Sequence, residues 1–242
     1  MNLVVDNLHV SGLDEGSGKA ALLLHGWGND HDTFEGVASQ LKGYRVIAPD
    51  LPGFGTSQPP PEAWGAEEYA RFVVELLDKL EVKKVDLLIG HSFGGRIAVV
   101  LAGDKLVSIG KLVLLASHGL PEPKTAKGMG VGLLARFGRA APASIRRPIG
   151  ARLASADYRA ATGVMQEVFK KVISQDATRQ AKLIACPTLL IYGSKDTTTP
   201  PELARRFQNL IPGSKLSILA DAGHHVHQDQ PAQTLKLIKD FI

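Results

Sequence analysis

The apolar positions of this chain fall into short continuous runs, separated by polar and glycine-rich turns. Short apolar runs bounded by turn residues are typical of strands that are buried on both faces of a parallel sheet. The runs alternate with segments whose apolar residues recur every three or four positions, which is the spacing of a buried helical face. This alternation predicts an α/β fold, with a mostly parallel sheet flanked by helices.

The predicted strands are the runs richest in aliphatic residues, at residues 3–10, 20–24, 45–48, 84–89, 111–116, 188–192 and 215–219. The predicted helices that cover the sheet are the periodic segments, at residues 33–41, 66–80, 96–102, 201–210 and 232–241. Residues 12–18 contain three glycines and predict a loop between the first two strands.

The alternation stops after the fifth predicted strand. Between residues 120 and 182 no segment has a convincing strand pattern, and three stretches are helix-like, at residues 132–138, 145–155 and 158–173. We therefore predict a helical cap at residues 120–182, inserted into an α/β core made of residues 1–119 and 183–242. Such a cap would lie over the edge of the sheet.

The most informative stretch is Gly90-His91-Ser92-Phe93-Gly94-Gly95, which joins a predicted strand to a predicted helix. A serine in a G-x-S-x-G turn at such a junction sits on strained backbone with its hydroxyl exposed, and the flanking glycines let strand and helix approach closely. The free N–H groups of the first helical turn then face developing negative charge. The same stretch could be an ordinary turn in which Ser92 caps the helix, so the rest of the chain has to distinguish the two.

Sites in open α/β sheets form beyond the carboxyl ends of the strands. The polar residues that follow the predicted strands are His25, Asp50, Ser92, His118, Asp196 and His224. A serine hydroxyl becomes a nucleophile when a base takes its proton, and the base needs an acid to fix its tautomer. Ser92, Asp196 and His224 follow each other in the order nucleophile, acid, base.

Five motifs occur in order along the chain: H-G-W from His25, P-D-L-P-G-F-G-T-S from Pro49, G-H-S-F-G-G from Gly90, G-S-K-D from Gly193 and A-G-H-H-V-H-Q-D-Q-P from Ala222. On these motifs the chain resembles the α/β-hydrolase family over its full length, in the form with a helical cap inserted after the sixth strand of the fold. Five ordered motifs are far more specific than one. The resemblance implies an α/β-hydrolase fold and a serine hydrolase.

The resemblance also implies a role for each matching residue of the triad. Ser92 would be the nucleophile, Asp196 the acid and His224 the base. His224 is favoured over His225 because the family's base directly follows the glycine. The oxyanion hole would consist of two backbone N–H groups, those of Trp27 and Phe93. The side chains expected to line the substrate pocket are Trp27, Phe93, His118, Phe137, Met165 and Phe169.

A serine at the turn favours attack on a carbonyl carbon, because relatives that cleave carbon–halogen bonds or epoxides use an aspartate there. We therefore expect hydrolysis of small to medium carboxylic esters or lactones through an acyl-enzyme intermediate. Hydrolysis of thioesters or of carbon–carbon bonds is related to this reaction and stays open. A second class also stays open, namely a small-molecule receptor that keeps the triad and hydrolyses its ligand slowly, in a single turnover.

The charge is unevenly distributed, since the net charge is +4 but residues 121–182 contain twelve basic and four acidic side chains. The motifs at His25 and Asp50 resemble the esterase group that demethylates pimeloyl-carrier-protein methyl ester, although that group usually has leucine in place of Phe93. This resemblance implies an acidic carrier protein that docks on the basic cap. A lid with an ordinary solvated basic face is the alternative, and we favour it.

The composition, 44% hydrophobic and 21% charged, is ordinary for a soluble globular protein. No apolar run approaches the ~20 residues that cross a bilayer, and no signal peptide is visible. We therefore expect a cytoplasmic protein without a membrane span or a nucleic-acid partner. We also expect no cofactor and no metal, because His224, His225 and His227 are spaced too closely on a catalytic loop to suggest a metal site.

Overall fold

The computed structural model of the chain describes residues 1–121 and 156–242. Its centre is an eight-stranded sheet. The strands are β1 (Asn2–Val5), β2 (Leu8–Gly16), β3 (Lys19–Leu24), β4 (Tyr44–Pro49), β5 (Lys84–His91), β6 (Ser108–Leu115), β7 (Thr188–Gly193) and β8 (Lys215–Leu219).

The strand order across the sheet is β1-β2-β4-β3-β5-β6-β7-β8. The pairs β1–β2 and β2–β4 are antiparallel, whereas β3 to β8 are parallel to one another. The central strand β5 pairs with β3, where Ala21 lies opposite Leu87, and with β6, where Leu88 lies opposite Leu112. The predicted mostly parallel sheet is confirmed. The carboxyl ends of β3, β5, β6, β7 and β8 consequently lie along one edge of it.

Helices cover both faces of the sheet. They are a 3₁₀ turn at His31–Phe34, α1 (Glu35–Ala38), α2 (Ala66–Lys79), α3 (Ser92–Gly103), α4 (Ala156–Ala160), α5 (Val164–Ser174), α6 (Thr178–Leu183), α7 (Pro201–Leu210), α8 (Val226–Asp229) and α9 (Pro231–Phe241). The helix α3 is buried along its whole length, because it follows the central strand and packs against α2 and α6.

Apolar side chains fill the space on both faces of the sheet. On one face α2, α3 and α7 bury side chains such as Tyr69 and Phe207, and on the other Phe34 and Ile238 are buried. Burying a large apolar side chain contributes about 1.5–3 kcal/mol. Because both faces are covered, the central strands are continuous apolar runs rather than alternating ones.

The strand β2 shows that the prediction of a loop at residues 12–18 was wrong. Its second half pairs antiparallel with β4 although it contains two glycines and two acidic residues. Asp14 accepts hydrogen bonds from Arg45 across this pairing at 2.8 Å. A side chain at Gly12 would come within 2.3 Å of the Ala48 carbonyl oxygen, so the close approach of the two backbones requires glycine.

Two predicted elements are each divided by a turn. The predicted strand at residues 3–10 is interrupted at Asp6 and Asn7, whose φ angles of 49° and 62° form the hairpin turn between β1 and β2. The predicted helix at residues 158–173 is interrupted at Gly163, whose φ is 55°, and is observed as α4 and α5.

Other helices differ from the prediction in extent. The predicted helix at residues 33–41 is a 3₁₀ turn followed by the short helix α1. The short helices α6 and α8 have no counterpart in the sequence prediction. The predicted helices at residues 132–138 and 145–155 lie outside the described residues. None of the helices in residues 1–121 and 156–242 combines the length and the apolar character needed to cross a bilayer.

Candidate active site

Ser92 lies where the central strand β5 turns into α3. Its φ of 49° is in the left-handed region, which a non-glycine residue adopts only where its surroundings enforce it. A side chain at Gly90 would come within 2.7 Å of the Gly94 carbonyl oxygen, and one at Gly94 within 2.1 Å of the Leu24 carbonyl oxygen. The two glycines therefore permit the sharp turn that the G-x-S-x-G motif predicts.

Three side chains from three loops form one hydrogen-bonded chain. The Ser92 hydroxyl donates to His224 Nε2 at 2.9 Å, and His224 Nδ1 donates to Asp196 Oδ2 at 2.8 Å. Asp196 follows β7 and His224 follows β8, so both reach the end of β5 from neighbouring loops. His225 also lines the space before Ser92 but bonds neither Ser92 nor Asp196. An imidazole held in this way can take the proton of the serine hydroxyl.

Asp196 accepts hydrogen bonds from other donors besides His224. Its Oδ1 accepts from the backbone N–H groups of Thr198 at 2.7 Å and Thr199 at 2.9 Å, and its Oδ2 accepts from the Thr199 hydroxyl at 2.5 Å. Burial raises the pKa of Asp196, but the hydrogen bonds from His224 and Thr199 outweigh this and hold the pKa below its usual value. Asp196 is therefore an anion at neutral pH and can stabilise positive charge on His224.

Buried histidines surround the loop that carries His224. His91 Nε2 donates to the His224 carbonyl oxygen at 3.0 Å, and the His227 ring lies 4.9 Å from the His91 ring. Burial, reinforced by the neighbouring histidines, lowers the pKa of His91 well below its usual value and that of His227 to about 4. Both rings are therefore neutral at pH 7. Within the described residues no group of three ligating side chains is arranged to hold a metal ion.

The loop after β3 lies directly beside the start of α3. The N–H of Gly94 donates to the His25 carbonyl oxygen at 3.0 Å. A side chain at Gly26 would come within 2.7 Å of the His91 ring, so this approach requires glycine. Trp27 is the next residue on the loop. Its backbone is thus held close to the first turn of α3, where helical N–H groups have no partner within the helix.

A cavity of about 410 Å³ opens before Ser92. The predicted pocket residues that line it are Trp27, Phe93, His118 and Phe169. Met165, also expected in the pocket, does not line this cavity. The Met165 side chain packs on Gly53 and lines a separate cleft of about 330 Å³. Phe137 lies outside the described residues.

The ring of Trp27 separates the cavity from this cleft, since it lines both. Its centroid lies 4.9 Å from the Phe54 ring and 4.9 Å from the Phe169 ring, both in edge-to-face geometry. On the far side Phe93 packs at 5.0 Å against the buried ring of Tyr69. Contacts of this kind fix ring positions as well as bury area, so the cavity has an aromatic wall of defined shape.

Two residues of the site were not singled out in the sequence. Thr199 binds Asp196, and a carboxylate followed by threonines is typical of a turn in which it accepts the next N–H groups. Arg96 is buried one turn after Ser92 and lines the cavity. Its signal is a charged residue in a helix that is otherwise apolar.

Residues 21–237 of the sequence match the Alpha/beta hydrolase family. A 2-hydroxymuconate semialdehyde hydrolase of Pseudomonas putida is 30% identical over 264 aligned residues, which cover 98% of this chain and 90% of that protein. Lipase 1 of Psychrobacter immobilis is 28% identical, with 86% of this chain and 72% of that protein covered.

The structure of a thermophilic esterase from Thermogutta terrifontis superimposes with a TM-score of 0.69 at 26% identity, covering 99% of this chain and 96% of that one. These similarities support hydrolase activity and confirm the fold expected from the five motifs. The likeness to the group that demethylates pimeloyl-carrier-protein methyl ester stays a prediction. A match over most of its length shows that the chain belongs to the α/β-hydrolase family.

Proposed function

We propose that the protein hydrolyses carboxylic esters, with Ser92 as nucleophile, His224 as base and Asp196 as acid. One observation carries this proposal, the continuous hydrogen-bonded chain from Ser92 through His224 to Asp196 at 2.9 Å and 2.8 Å. The left-handed backbone at Ser92 supports it, because strain at a non-glycine residue is concentrated at functional sites. The esterase and the lipase among the relatives also support it.

In the first half of the reaction His224 Nε2 takes the hydroxyl proton of Ser92 while Oγ attacks the carbonyl carbon of the ester. The carbonyl oxygen becomes an oxyanion, which the backbone N–H groups of Trp27 and Phe93 would bind. Asp196 stabilises the imidazolium ion formed at His224. When the tetrahedral intermediate collapses, His224 returns the proton to the departing alcohol, and the acyl group remains on Ser92.

In the second half a water molecule enters the place of the alcohol. His224 takes a proton from this water, and the hydroxide adds to the acyl carbon. A second tetrahedral intermediate forms, with its oxyanion in the same place as the first. The bond to Ser92 Oγ then breaks and the serine recovers its proton from His224. The acid leaves, and the starting state is restored. Water must therefore reach Ser92 on the side from which the alcohol departs.

Hydrolysis of a carbon–carbon bond next to a carbonyl group is a second candidate. It is favoured by the 2-hydroxymuconate semialdehyde hydrolase of Pseudomonas putida, because the compound in that name contains no ester bond. The same serine, base and oxyanion hole would serve such a reaction. Turnover of a 2-hydroxy-6-oxodienoate, followed by the loss of its conjugated absorbance, separates this reaction from ester hydrolysis.

The cap is a further part of the proposal. We assign residues 120–182 to it, and residues 1–119 and 183–242 to the catalytic core. The support is that α5 contributes Phe169 and Val172 to the cavity, opposite the loops that carry the triad. Docking of an acidic carrier protein on this cap is retained only as the less favoured alternative to a solvated basic face.

The experiment is a panel of p-nitrophenyl esters, lactones and carrier-linked methyl esters, with labelling by a fluorophosphonate probe. The wild-type protein should turn over many times on at least one short p-nitrophenyl ester and should bind the probe covalently. Ser92→Ala should lose both properties. The matched control is Ser108→Ala, an exposed serine at the start of β6, which should keep both.

Two outcomes would contradict the proposal. Equal labelling of wild type and Ser92→Ala would show that another residue is the nucleophile. A wild-type protein that stops after about one turnover on every ester, with the acyl group still attached, would indicate a receptor with single-turnover hydrolysis instead of an esterase.

A further inference from the structure

The buried charge of Arg96 lies in the same cavity as Ser92. Arg96 follows Ser92 by one turn of α3, and only 4% of its surface is exposed. Both side chains line the cavity of about 410 Å³, together with Phe93 and His118. Charged side chains are almost never buried to this extent unless they are paired, so the partner of Arg96 needs to be identified.

The only hydrogen bonds of Arg96 in the described residues go to backbone carbonyl groups. Its Nη1 donates to the carbonyl oxygens of Val172 and Gln175, the latter at 2.9 Å, at the end of α5. Its Nε is buried without a partner among the residues that the structure describes. The nearby carboxylate that acts on its charge, Asp176, is exposed and accepts the N–H of Thr178.

The charge of Arg96 is retained at neutral pH. Burial lowers the pKa of Arg96 to about 10, and attraction by Asp176 opposes that shift. The neighbouring His118 is neutral at pH 7, because burial and the charge of Arg96 lower its pKa to about 4. The sequence of the undescribed residues 122–155 contains one acid, Glu122, and seven basic residues. That segment is therefore a poor source of a compensating carboxylate.

We propose that Arg96 binds a carboxylate of the substrate, so that the preferred substrates are esters whose acyl chain ends in a carboxylate. The proposal rests on the proposed function, because it takes Ser92 as the site of attack. One turn of helix separates the two residues, ~5.4 Å along the axis. An extended acyl chain advances about 1.25 Å for each C–C bond of ~1.52 Å, so a carboxylate about four or five bonds beyond the reacting carbonyl matches this separation.

The position of Arg96 assigns the carboxylate to the acyl part of the substrate. The alcohol must leave and water must enter before the acyl group is released, so the alcohol belongs at the open side of the cavity. Asp157 and Ile173 line the cavity and are exposed, whereas Arg96 is buried. The negative charge of Asp157 would also repel a carboxylate at that open side.

A purely structural role for Arg96 makes a different prediction. Arg96 lies on α3, and its guanidinium donates to the carbonyl groups at the C-terminal end of α5. Such contacts stabilise the end of a helix. If this were its whole role, the wild-type protein would not distinguish a substrate with a terminal carboxylate from one with a terminal carboxamide. The two groups are nearly isosteric and differ in charge.

The first test therefore uses the wild-type protein alone. Hydrolysis of monomethyl adipate is compared with that of methyl 5-carbamoylpentanoate, its neutral carboxamide analogue, in a pH-stat at pH 7.5. We expect kcat/KM to be about 10- to 100-fold higher for the carboxylate. This is the fold-change that corresponds to the free energy of one charge-assisted hydrogen bond. Equal kcat/KM for the two esters overturns the proposal and leaves the esterase assignment intact. Failure to hydrolyse either ester, or any p-nitrophenyl ester, instead overturns the proposed function.

The second test uses Arg96→Met, which keeps the aliphatic stem, and Arg96→Lys, which keeps the charge. The ratio of kcat/KM for the carboxylate ester to kcat/KM for the carboxamide ester should fall to about one in Arg96→Met. In Arg96→Lys the same ratio should stay above one. The matched control Arg205→Met removes an exposed charge on α7 and should keep the wild-type ratio. A ratio that is unchanged in Arg96→Met overturns the proposal. Should that variant not fold, inhibition of wild-type p-nitrophenyl acetate hydrolysis decides, with adipate expected to bind at least 10-fold more tightly than adipamide.

Discussion

The core half of the cavity, formed by the loops after β3, β5, β7 and β8, is fixed by backbone constraints. By contrast, the other half, formed by α5 and named the lid half after the proposed cap, is held mainly by side chains. In the core half the backbone at Ser92 is left-handed, and Gly94 lies against the carbonyl groups of Leu24 and His25. In the lid half Phe169 packs on the Trp27 ring. The two halves therefore differ in what a substitution can change.

The connection of the lid half to the core depends on a few polar contacts at the end of α5. Arg96 binds the carbonyl groups of Val172 and Gln175 there, and the Gln175 side chain accepts the N–H of Ala66 at 2.7 Å. Substitutions in the core half should act on the chemical step, because they move reacting groups. Substitutions in the lid half should act on substrate choice, because they change the walls of the cavity.

The largest expected effect distinguishes two adjacent histidines in the core half. His224→Ala should lower kcat by about 10³-fold or more, because it removes the proposed base between Ser92 and Asp196. His225→Ala should keep most of the activity, since His225 has no hydrogen bond to either residue. The measurement is kcat on a p-nitrophenyl ester for both variants. Loss of activity in His225→Ala alone would mean that the base is misassigned by one residue.

A smaller effect is expected at Thr199, whose hydroxyl donates to the proposed acid Asp196. Thr199→Val removes the hydroxyl that donates to Asp196 Oδ2 but keeps the two backbone donors and His224. A hydrogen bond to a charged group is worth about 1.5–3 kcal/mol, so kcat should fall about 10-fold or somewhat more, with KM little changed. Thr199→Ser should restore most of kcat. A rise in KM without loss of kcat would show that Thr199 acts on substrate binding.

The sequence predicted the core half better than the lid half for a physical reason. The core half depends on short motifs at the turns that follow the strands. The G-x-S-x-G turn at Ser92 is one such motif, and the order of Asp196 and His224 along the chain is a second signal. Both Trp27 and Phe93 could also be placed in the cavity from their motifs. On α5, by contrast, the helical period alone could not tell that Met165 reaches Gly53 while Phe169 reaches the cavity.

Tertiary contacts also explain the other differences. The glycine-rich, acidic second half of β2 is a strand because β4 supplies its backbone partners and Arg45 pairs with Asp14. No local pattern contains this information, since propensity and period describe single segments. Arg96 was missed for a similar reason. Only the folded chain shows that its partners are the carbonyl groups of a distant helix.

The buried histidines should make the core half sensitive to acid. Burial lowers the pKa values of His25 and His227 from 6.5 to about 4. Between these values the unfolded chain binds more protons than the folded one, so the free energy of unfolding should fall as the pH drops from 6.5 towards 4. One such proton corresponds to ~1.4 kcal/mol per pH unit. Urea unfolding at several pH values measures the slope.

Two variants test whether buried histidines of the core half cause this dependence of the unfolding free energy on pH. His227→Gln should flatten the dependence of unfolding free energy on pH between 6.5 and 4, because it removes one of the buried titrating groups. Ser108→Ala should leave the slope unchanged, since it removes an exposed side chain that does not titrate. A slope that is identical in wild type and His227→Gln would mean that other groups cause the loss of stability.

The smallest expected effect lies in the lid half, at Phe169. Phe169→Ala removes the ring that packs on Trp27 and widens the cavity on the side away from the triad. An aromatic pair contributes about 0.5–1.5 kcal/mol beyond its buried area, so kcat/KM for a p-nitrophenyl hexanoate should change by about 2- to 10-fold. The acetate should respond less, because its acyl group is too short to reach the wall. Ser174→Ala, an exposed position on the same helix, is the control and should alter neither ester. If acetate and hexanoate lost activity equally, the lid ring would be positioning Trp27 and its backbone N–H for the chemical step, and the separation between a catalytic core half and a selective lid half would not hold.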